Sequence, residues 1–195
     1  MASDPLTKAE ALALVDMAAR IGTEWTRARD SAAYAVLYRC GIRSEECVLL
    51  DSSDIRELDG VRSLRVRFPK GWKRAKRPAK PREVGLDPGT WNRIEQWIEI
   101  RGEGSGPLFC TPNGRRLATS HWRRKIKRAA TSAKIDKRVH CHGLRHTFAR
   151  MLHDEGVSLP LIQQLLGHKD LSTTAIYLSS LGNPEAVAAT AEREW

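Results

Sequence analysis

One Asp59-Gly60 pair, with residues 54–58 before it and 61–68 after it, constrains this 195-residue chain more than any other feature. Asp-Gly supplies two adjacent residues that tolerate positive φ, the requirement of a tight two-residue hairpin turn. Beyond the turn, Leu64, Val66 and Phe68 alternate with Arg65 and Arg67. That period of two predicts a small antiparallel sheet with one apolar and one basic face, and residues 83–86 return as a third strand. Almost everything else has helical spacing. Thr7 with Glu10 makes a capping box, and Leu14, Met17, Ala18 and Ile21 recur until Gly22. A second helix covers about residues 26–40, with Ala33, Val36 and Leu37 on its apolar side; Gly41 breaks it and leaves Arg43 at a helix junction. Trp91, Ile94, Trp97 and Ile98 mark another helix with a buried aromatic face. Trp122, Ile126 and Ala129 mark the next, which carries Arg123, Arg124, Lys125, Lys127 and Arg128. Further helices are expected at about 142–155, 159–166, 172–178 and 184–193. The expected fold is mainly α with a small three-stranded antiparallel sheet, in a single domain over 1–195 with a tail helix at 183–195.

Charge narrows the partner. Lys and Arg number 33 against 23 Asp and Glu, for a formal net charge of +10, which favours a polyanion, nucleic acid first and a membrane surface second. No apolar run approaches the ~20 residues of a spanning helix, and the N-terminus lacks a signal-peptide layout, so the expected location is cytoplasmic and nucleoid-associated. Seven of the thirteen residues from Lys70 to Arg82 are basic and none is acidic. A run that dense repels itself unless phosphate neutralises it. It is expected to be an exposed loop on DNA, with Lys73, Arg74, Lys76 and Arg77 as contacts beside Arg123, Arg124 and Lys127, and with Trp72 a weaker candidate for sugar or base. Cys40, Cys47, Cys110 and Cys141 form no C-x-x-C pair and are expected to be buried thiols.

The C-terminal third concentrates reactive side chains: His142, Arg145, His168 and Tyr177. His142 and Arg145 are three apart and share a helix face, where an exposed pair would grip a phosphate oxygen from two directions. Alone, Tyr177 would be an ordinary half-buried core tyrosine, and Arg43 a helix cap or a partner of Glu46. His140, Cys141, His142 and His146 suggest zinc, but Arg145 puts a fixed positive charge beside any cation and no second ligand cluster completes a site. No metal is expected, and the absence of a P-loop argues against a nucleotide cofactor.

The stretch HGLRHTFARMLHDEGVSLPLIQQLLGHKDLSTTAIY resembles the second motif of the tyrosine recombinase and phage integrase family, and LYRCGIRSEECVLLDSSDI resembles its first. The likeness runs from about residue 7 to 181. It implies the family's DNA breaking-rejoining fold and a site-specific recombinase or integrase that needs no cofactor. Tyr177 would attack the scissile phosphate and leave a 3′-phosphotyrosine with a free 5′-hydroxyl. Arg43 and Arg145 would clamp the non-bridging oxygens, with Glu46 supporting Arg43. His168 would donate to the phosphate, and His142 would orient the neighbourhood of Arg145 or accept the tyrosine proton. A lysine between the second and third strands would protonate the leaving oxygen. Lys70, before Gly71, fits best, but this loop is longer than the family pattern and offers Lys73, Lys76 and Lys80 as rivals. The implied partner is double-stranded DNA, bound by a monomer that assembles as a tetramer on the duplexes. Family members usually carry an N-terminal core-binding domain for which this chain has no residues, so it is expected to be either a catalytic fragment or a natural single-domain member. Two alternatives stand beside strand exchange: DNA relaxation of the type IB topoisomerase kind, and a catalytically silent DNA-binding regulator.

Overall fold

The computed structural model describes residues 5–67 and 81–167. Within them lie helices α1 (Lys8–Ala18), α2 (Glu24–Arg39), α3 (Ser44–Leu49), α4 (Pro88–Arg101), α5 (Thr119–Ser132), α6 (Cys141–Asp154) and α7 (Leu159–Leu166), and strands β1 (Ile55–Leu58), β2 (Val61–Val66) and β3 (Arg82–Gly85). The described part is therefore mostly helical, with one antiparallel sheet of order β1-β2-β3. The helices expected at 172–178 and 184–193 lie outside the described residues.

The Asp59-Gly60 turn sets the sheet register. Both residues take positive φ, 51° and 75°, and Leu58 pairs with Val61 directly across the turn. Leu64 then faces Ile55 on one side and Val84 on the other, so Leu64, Val66 and Val84 are buried together. β1 begins after Asp54, because Asp54 closes a 3-10 turn, Ser52–Asp54, where its carboxylate accepts the Asp51 N–H at 2.9 Å. The opposite face is less basic than expected. Arg67 donates to Asp51 at 2.6 Å and to Asp54 at 2.8 Å, and Arg65 sits across from Glu83, so acids cancel that end of the face.

α2 forms the centre of the core. Residues 32–38 are all buried, as expected of a helix enclosed on every side, and its alanines allow α1, α4 and α6 to pack against it. Thr7 caps α1 through the reciprocal box with Glu10. Trp97 is fully buried, donates its indole N–H to the Leu108 carbonyl at 2.7 Å and meets Trp25 edge-on at 4.9 Å. Trp122 is buried as expected, but Trp91 is only half-buried, under the Arg62 guanidinium 4.2 Å from its ring. All four cysteines are buried and free. Burial pushes the Cys40 thiol up to about 12 and that of Cys141 to about 11, so both stay uncharged at neutral pH.

Gly41 ends α2 in the left-handed region, φ +58°, and a Cβ there would lie 2.1 Å from the Phe148 ring. Two penalties meet at this joint between α2 and α6. Gly41→Ala is therefore expected to cost about 2–4 kcal/mol, from left-handed strain plus overpacking, read as a lower urea midpoint.

Candidate active site

The site is assembled where α2, α3, α6, β3 and α7 converge. Gly41 turns the chain sharply after α2, Ile42 is buried, and Arg43 becomes the N-cap of α3. One turn later, Glu46 points back, since its carboxylate accepts the Arg43 backbone N–H at 2.8 Å and the guanidinium Nη1 at 2.9 Å. The Arg43 side chain stays 18 % exposed while that of Glu46 is 1 % exposed. An ion pair buried on the acid side and open on the arginine side holds a cation at the surface in one orientation.

Glu46 has a second cation. Arg82 donates Nη2 to Oε2 at 2.7 Å and Nη1 to Oε1 at 3.1 Å, a bidentate fork. The exposed basic loop expected over 70–82 thus loses its last member: Arg82 opens β3, and its side chain is 9 % exposed. The reason is electrostatic, because a carboxylate as buried as Glu46 needs more positive charge than a partly exposed Arg43 provides. Burial raises the Glu46 pKa, but the hydrogen bonds and charge of Arg82, then those of Arg43, outweigh it and hold the carboxyl below its ordinary range.

Arg145 departs from the expected exposed pair. His142 is exposed, but Arg145 is 1 % exposed. Arg145 donates Nη1 to the Gly41 carbonyl at 2.8 Å and Nη2 to the Leu166 carbonyl at 2.6 Å. Shared spacing on α6 did not put the two side chains in the same environment, because α2 and α7 close over Arg145 while His142 lies near the open helix start. The last carbonyls of an α-helix have no partner within it. At the end of α7 two of them go to guanidinium groups, Leu166 to Arg145 and Leu165 to Arg82 at 2.7 Å, a favourable match for a helix C-terminus. Gly167 then takes the left-handed cap, φ 65°, with Arg82 packed 3.0 Å from where a Cβ would sit.

The start of α6 is lined by imidazoles. His140 is its N-cap and accepts the Gly143 N–H on Nδ1 at 2.8 Å; burial, with help from the nearby Arg138 charge, lowers its pKa and favours the neutral ring. His142 meets His146 edge-on at 4.6 Å. Thr147 is a structural tie, donating to the Gly143 carbonyl and accepting the Leu6 N–H, each at 3.0 Å. Among the described residues, no group of three or more His, Cys, Asp or Glu could hold a metal ion.

Beside this start runs α5, with Arg123, Arg124, Lys127 and Arg128 exposed and Arg123 near enough to act on the Cys141 thiol. Lys125 turns inward toward Asp30 at 3.4 Å. Asp30 and Arg29 are almost fully buried and paired at 2.7 Å, and Arg29 Nη2 lies 2.9 Å from His121 Nε2. Burial pushes the Asp30 carboxyl up, yet the His121 hydrogen bond and the Arg29 charge outweigh it and leave the pKa lowered. This network anchors the basic helix to α2. Nothing in the sequence marked His121, since its partner Asp30 is ninety-one positions away in a helix rich in alanine. A cleft of about 500 Å³ between α1, α2 and α4, lined by Leu12, Tyr38, Arg39 and Thr90, is built from none of these site residues.

Lys70, Lys73, Arg74, Lys76, Arg77 and Trp72 in the basic run, and His168 and Tyr177 after α7, lie outside the described residues. What the described part brings together is Arg43, Glu46, Arg82, Arg145 and the end of α7, residues that are up to 123 positions apart in sequence.

Fold and site thus define a helical domain in which three arginines gather around Glu46 and the end of α7, beside a basic helix. The model of the phage integrase family matches residues 5–183, and the chain belongs to that family. It is 33% identical over 156 residues to tyrosine recombinase XerC of Alcanivorax borkumensis, covering 76% of this chain and 47% of the relative. It is 37% identical over 155 residues to tyrosine recombinase XerD of Pseudomonas putida, covering 76% and 49%. The chain spans about half the length of the curated relatives it matches. Among solved structures, XerA recombinase superposes with a TM-score of 0.76 at 26% identity, over 98% of this chain and 64% of that one. XerH recombinase bound to a palindromic difH substrate superposes with a TM-score of 0.78 at 23% identity, over 97% and 52%. The mainly helical fold with its three-stranded sheet is therefore that of tyrosine recombinase catalytic domains.

Proposed function

We propose that this chain is the catalytic unit of a site-specific DNA recombinase or integrase that cuts one strand through Tyr177. The Tyr177 oxygen bonds to phosphorus, the bond to the 5′-oxygen breaks, and a loop lysine, Lys70 first, gives that oxygen its proton. Strand joining reverses the exchange with a new 5′-hydroxyl, so bond energy is kept in the phosphotyrosine and no nucleotide is consumed. Arg43, Arg145 and His168 neutralise the charge that builds on the non-bridging oxygens, and His142 orients the site or takes the tyrosine proton. The observation that carries this is the Arg145 hydrogen bond to the Gly41 carbonyl at 2.8 Å. It ties α6 to the chain two residues before Arg43, and so draws together the two arginines whose motif positions match the family. In DNA-bound relatives such as XerH the same fold meets its substrate.

The test uses a library of nicked duplexes with a randomised centre, from which DNA that resists denaturant and stays with the protein is recovered and sequenced. The expected result is one enriched site and an adduct that Tyr177→Phe removes. Site-specific binding with no adduct would favour the silent regulator, and relaxation of supercoils without sequence preference would favour topoisomerase chemistry.

Binding itself is expected to be weak and steeply salt-dependent, because phosphate contacts from the basic run and α5 supply most of it. Replacing Arg123, Arg124 and Lys127 together with alanine should reduce the slope of log K against log salt by about 2–3, at ~0.9 per lost contact. An unchanged slope would remove α5 from the interface. The protein acts as a monomer that assembles on two duplexes as a tetramer, which sedimentation with and without the recovered site measures.

A further inference from the structure

The proposed cleavage chemistry gives Arg82 no part, yet its side chain joins β3 to both α3 and α7. It stands at the start of β3, as the last member of the basic run. Its guanidinium grips both Glu46 oxygens, at 2.7 and 3.1 Å, while Nε donates to the Leu165 carbonyl at 2.7 Å. Glu46 spends its other contacts on Arg43, one from the backbone N–H and one from Nη1. The carboxylate is thus a bridge between two cations, Arg82 with 9 % of its side chain exposed and Arg43 with 18 %. Without Arg82, Glu46 would be free to rotate toward Arg43 and draw its guanidinium inward, away from the surface where an oxyanion binds.

We propose that Arg82 is a positioning residue for Arg43: it fixes Glu46 from behind so that the Arg43 guanidinium faces a non-bridging oxygen of the scissile phosphate. The role rests on the strand-cleavage reading and concerns the same site. Arg82 does not touch the phosphate. It makes Arg43 a pre-oriented cation, and by holding the Leu165 carbonyl it keeps α7 in register with α3. A planar fork is needed at this place, because a lysine could neutralise Glu46 but could not fix both of its oxygens and the carbonyl together.

The test compares adduct formation by the unsubstituted chain, Arg82→Gln, Arg82→Lys and Arg43→Ala on the recovered duplex at saturating DNA. A second duplex carries a methylphosphonate at the scissile position, which lacks the non-bridging charge that Arg43 neutralises. On phosphate, Arg82→Gln is expected to slow cleavage about 100-fold, the scale of an ångström-sized misplacement, with the affinity for uncleaved duplex unchanged. On the methylphosphonate its deficit should shrink to within about 3-fold, as should that of Arg43→Ala, because both losses would pass through the same missing interaction. Arg82→Lys should fall between the parent and Arg82→Gln on phosphate, and it supplies the comparison if the glutamine variant does not fold. An equal deficit on both duplexes would show a merely structural role and overturn the proposal. So would restoration by a 5′-bridging sulfur, a leaving group that needs no proton, since that would place the effect on the lysine loop. If the unsubstituted chain forms no adduct, the cleavage reading falls and the proposal with it; if it does and the deficits are equal, only the role of Arg82 falls.

Discussion

Replacing Arg145 with alanine is expected to lower the unfolding free energy by about 4 kcal/mol and to leave no detectable covalent adduct. The stability loss follows from what Arg145 satisfies. It is 1 % exposed and supplies hydrogen bonds to the carbonyls of Gly41 and Leu166. Each buried acceptor left unpaired costs about 1–3 kcal/mol, and the lost side chain adds a void between α2, α6 and α7. Out of a typical total of about 5–15 kcal/mol, a loss of that size is visible as a large fall in the urea midpoint. Arg145→Lys should recover part of the stability but little of the cleavage, since one ammonium cannot span both carbonyls and still reach a phosphate. Full stability in the alanine variant would contradict the buried tie between α6 and α7.

Glu46→Ala is expected to cost about 3–5 kcal/mol at neutral pH, the usual penalty when one partner of a buried ion pair is removed. Here two arginines lose their acid, and Arg82 is left almost buried without it. The loss depends on pH with a definite sign. Because the Glu46 carboxyl is held below its ordinary range in the folded protein, its contribution is present in full above the unfolded value of about 4.3. It disappears as pH falls through the lower folded value. Asp30 and Asp51, whose carboxyls are also held low in spite of burial, act in the same direction. Stability of the unsubstituted chain should therefore drop steeply below about pH 4. In Glu46→Ala the drop should be shallower and start from a lower plateau. Equal slopes in the two proteins, measured by urea unfolding across that range, would show that Glu46 is not held as its contacts require.

Much of the frame could be read directly from residues. The hairpin was set by two residues that allow positive φ, and Leu58 does meet Val61 across them. The span of α7 matched its expectation at both ends, because Ser158 and Pro160 open it and Gly167 closes it. Arg43 fell at its helix junction because Gly41 is the one residue type that fits against Phe148 there. What stayed hidden were pairings across long sequence separations. By sequence Arg82 is the last charge of an exposed loop expected on DNA, and only the burial of Glu46, thirty-six positions earlier, shows that it packs among the site residues. Arg145 shared a helix face with His142 by spacing, yet spacing does not reveal which side of that face α2 and α7 will cover. Arg29, Asp30 and His121 gave no periodic signal, since ion pairing inside a helix-packed core depends on geometry that no local pattern encodes. His140 stands beside Cys141, His142 and His146 in a grouping that suggests zinc, yet a His ahead of a helix start can also serve as its cap, as it does for Gly143.

The most direct measurement of the central claim is where the DNA attaches. The adduct trapped on the recovered duplex is digested with nuclease and protease, and the peptide bearing the remaining nucleotide is sequenced by mass spectrometry. If Tyr177 is the nucleophile, the nucleotide is found on Tyr177, linked through its 3′-phosphate, while the released strand ends in a 5′-hydroxyl. A nucleotide on any other side chain, or cleavage at the recovered site that leaves no nucleotide on the protein, would contradict it.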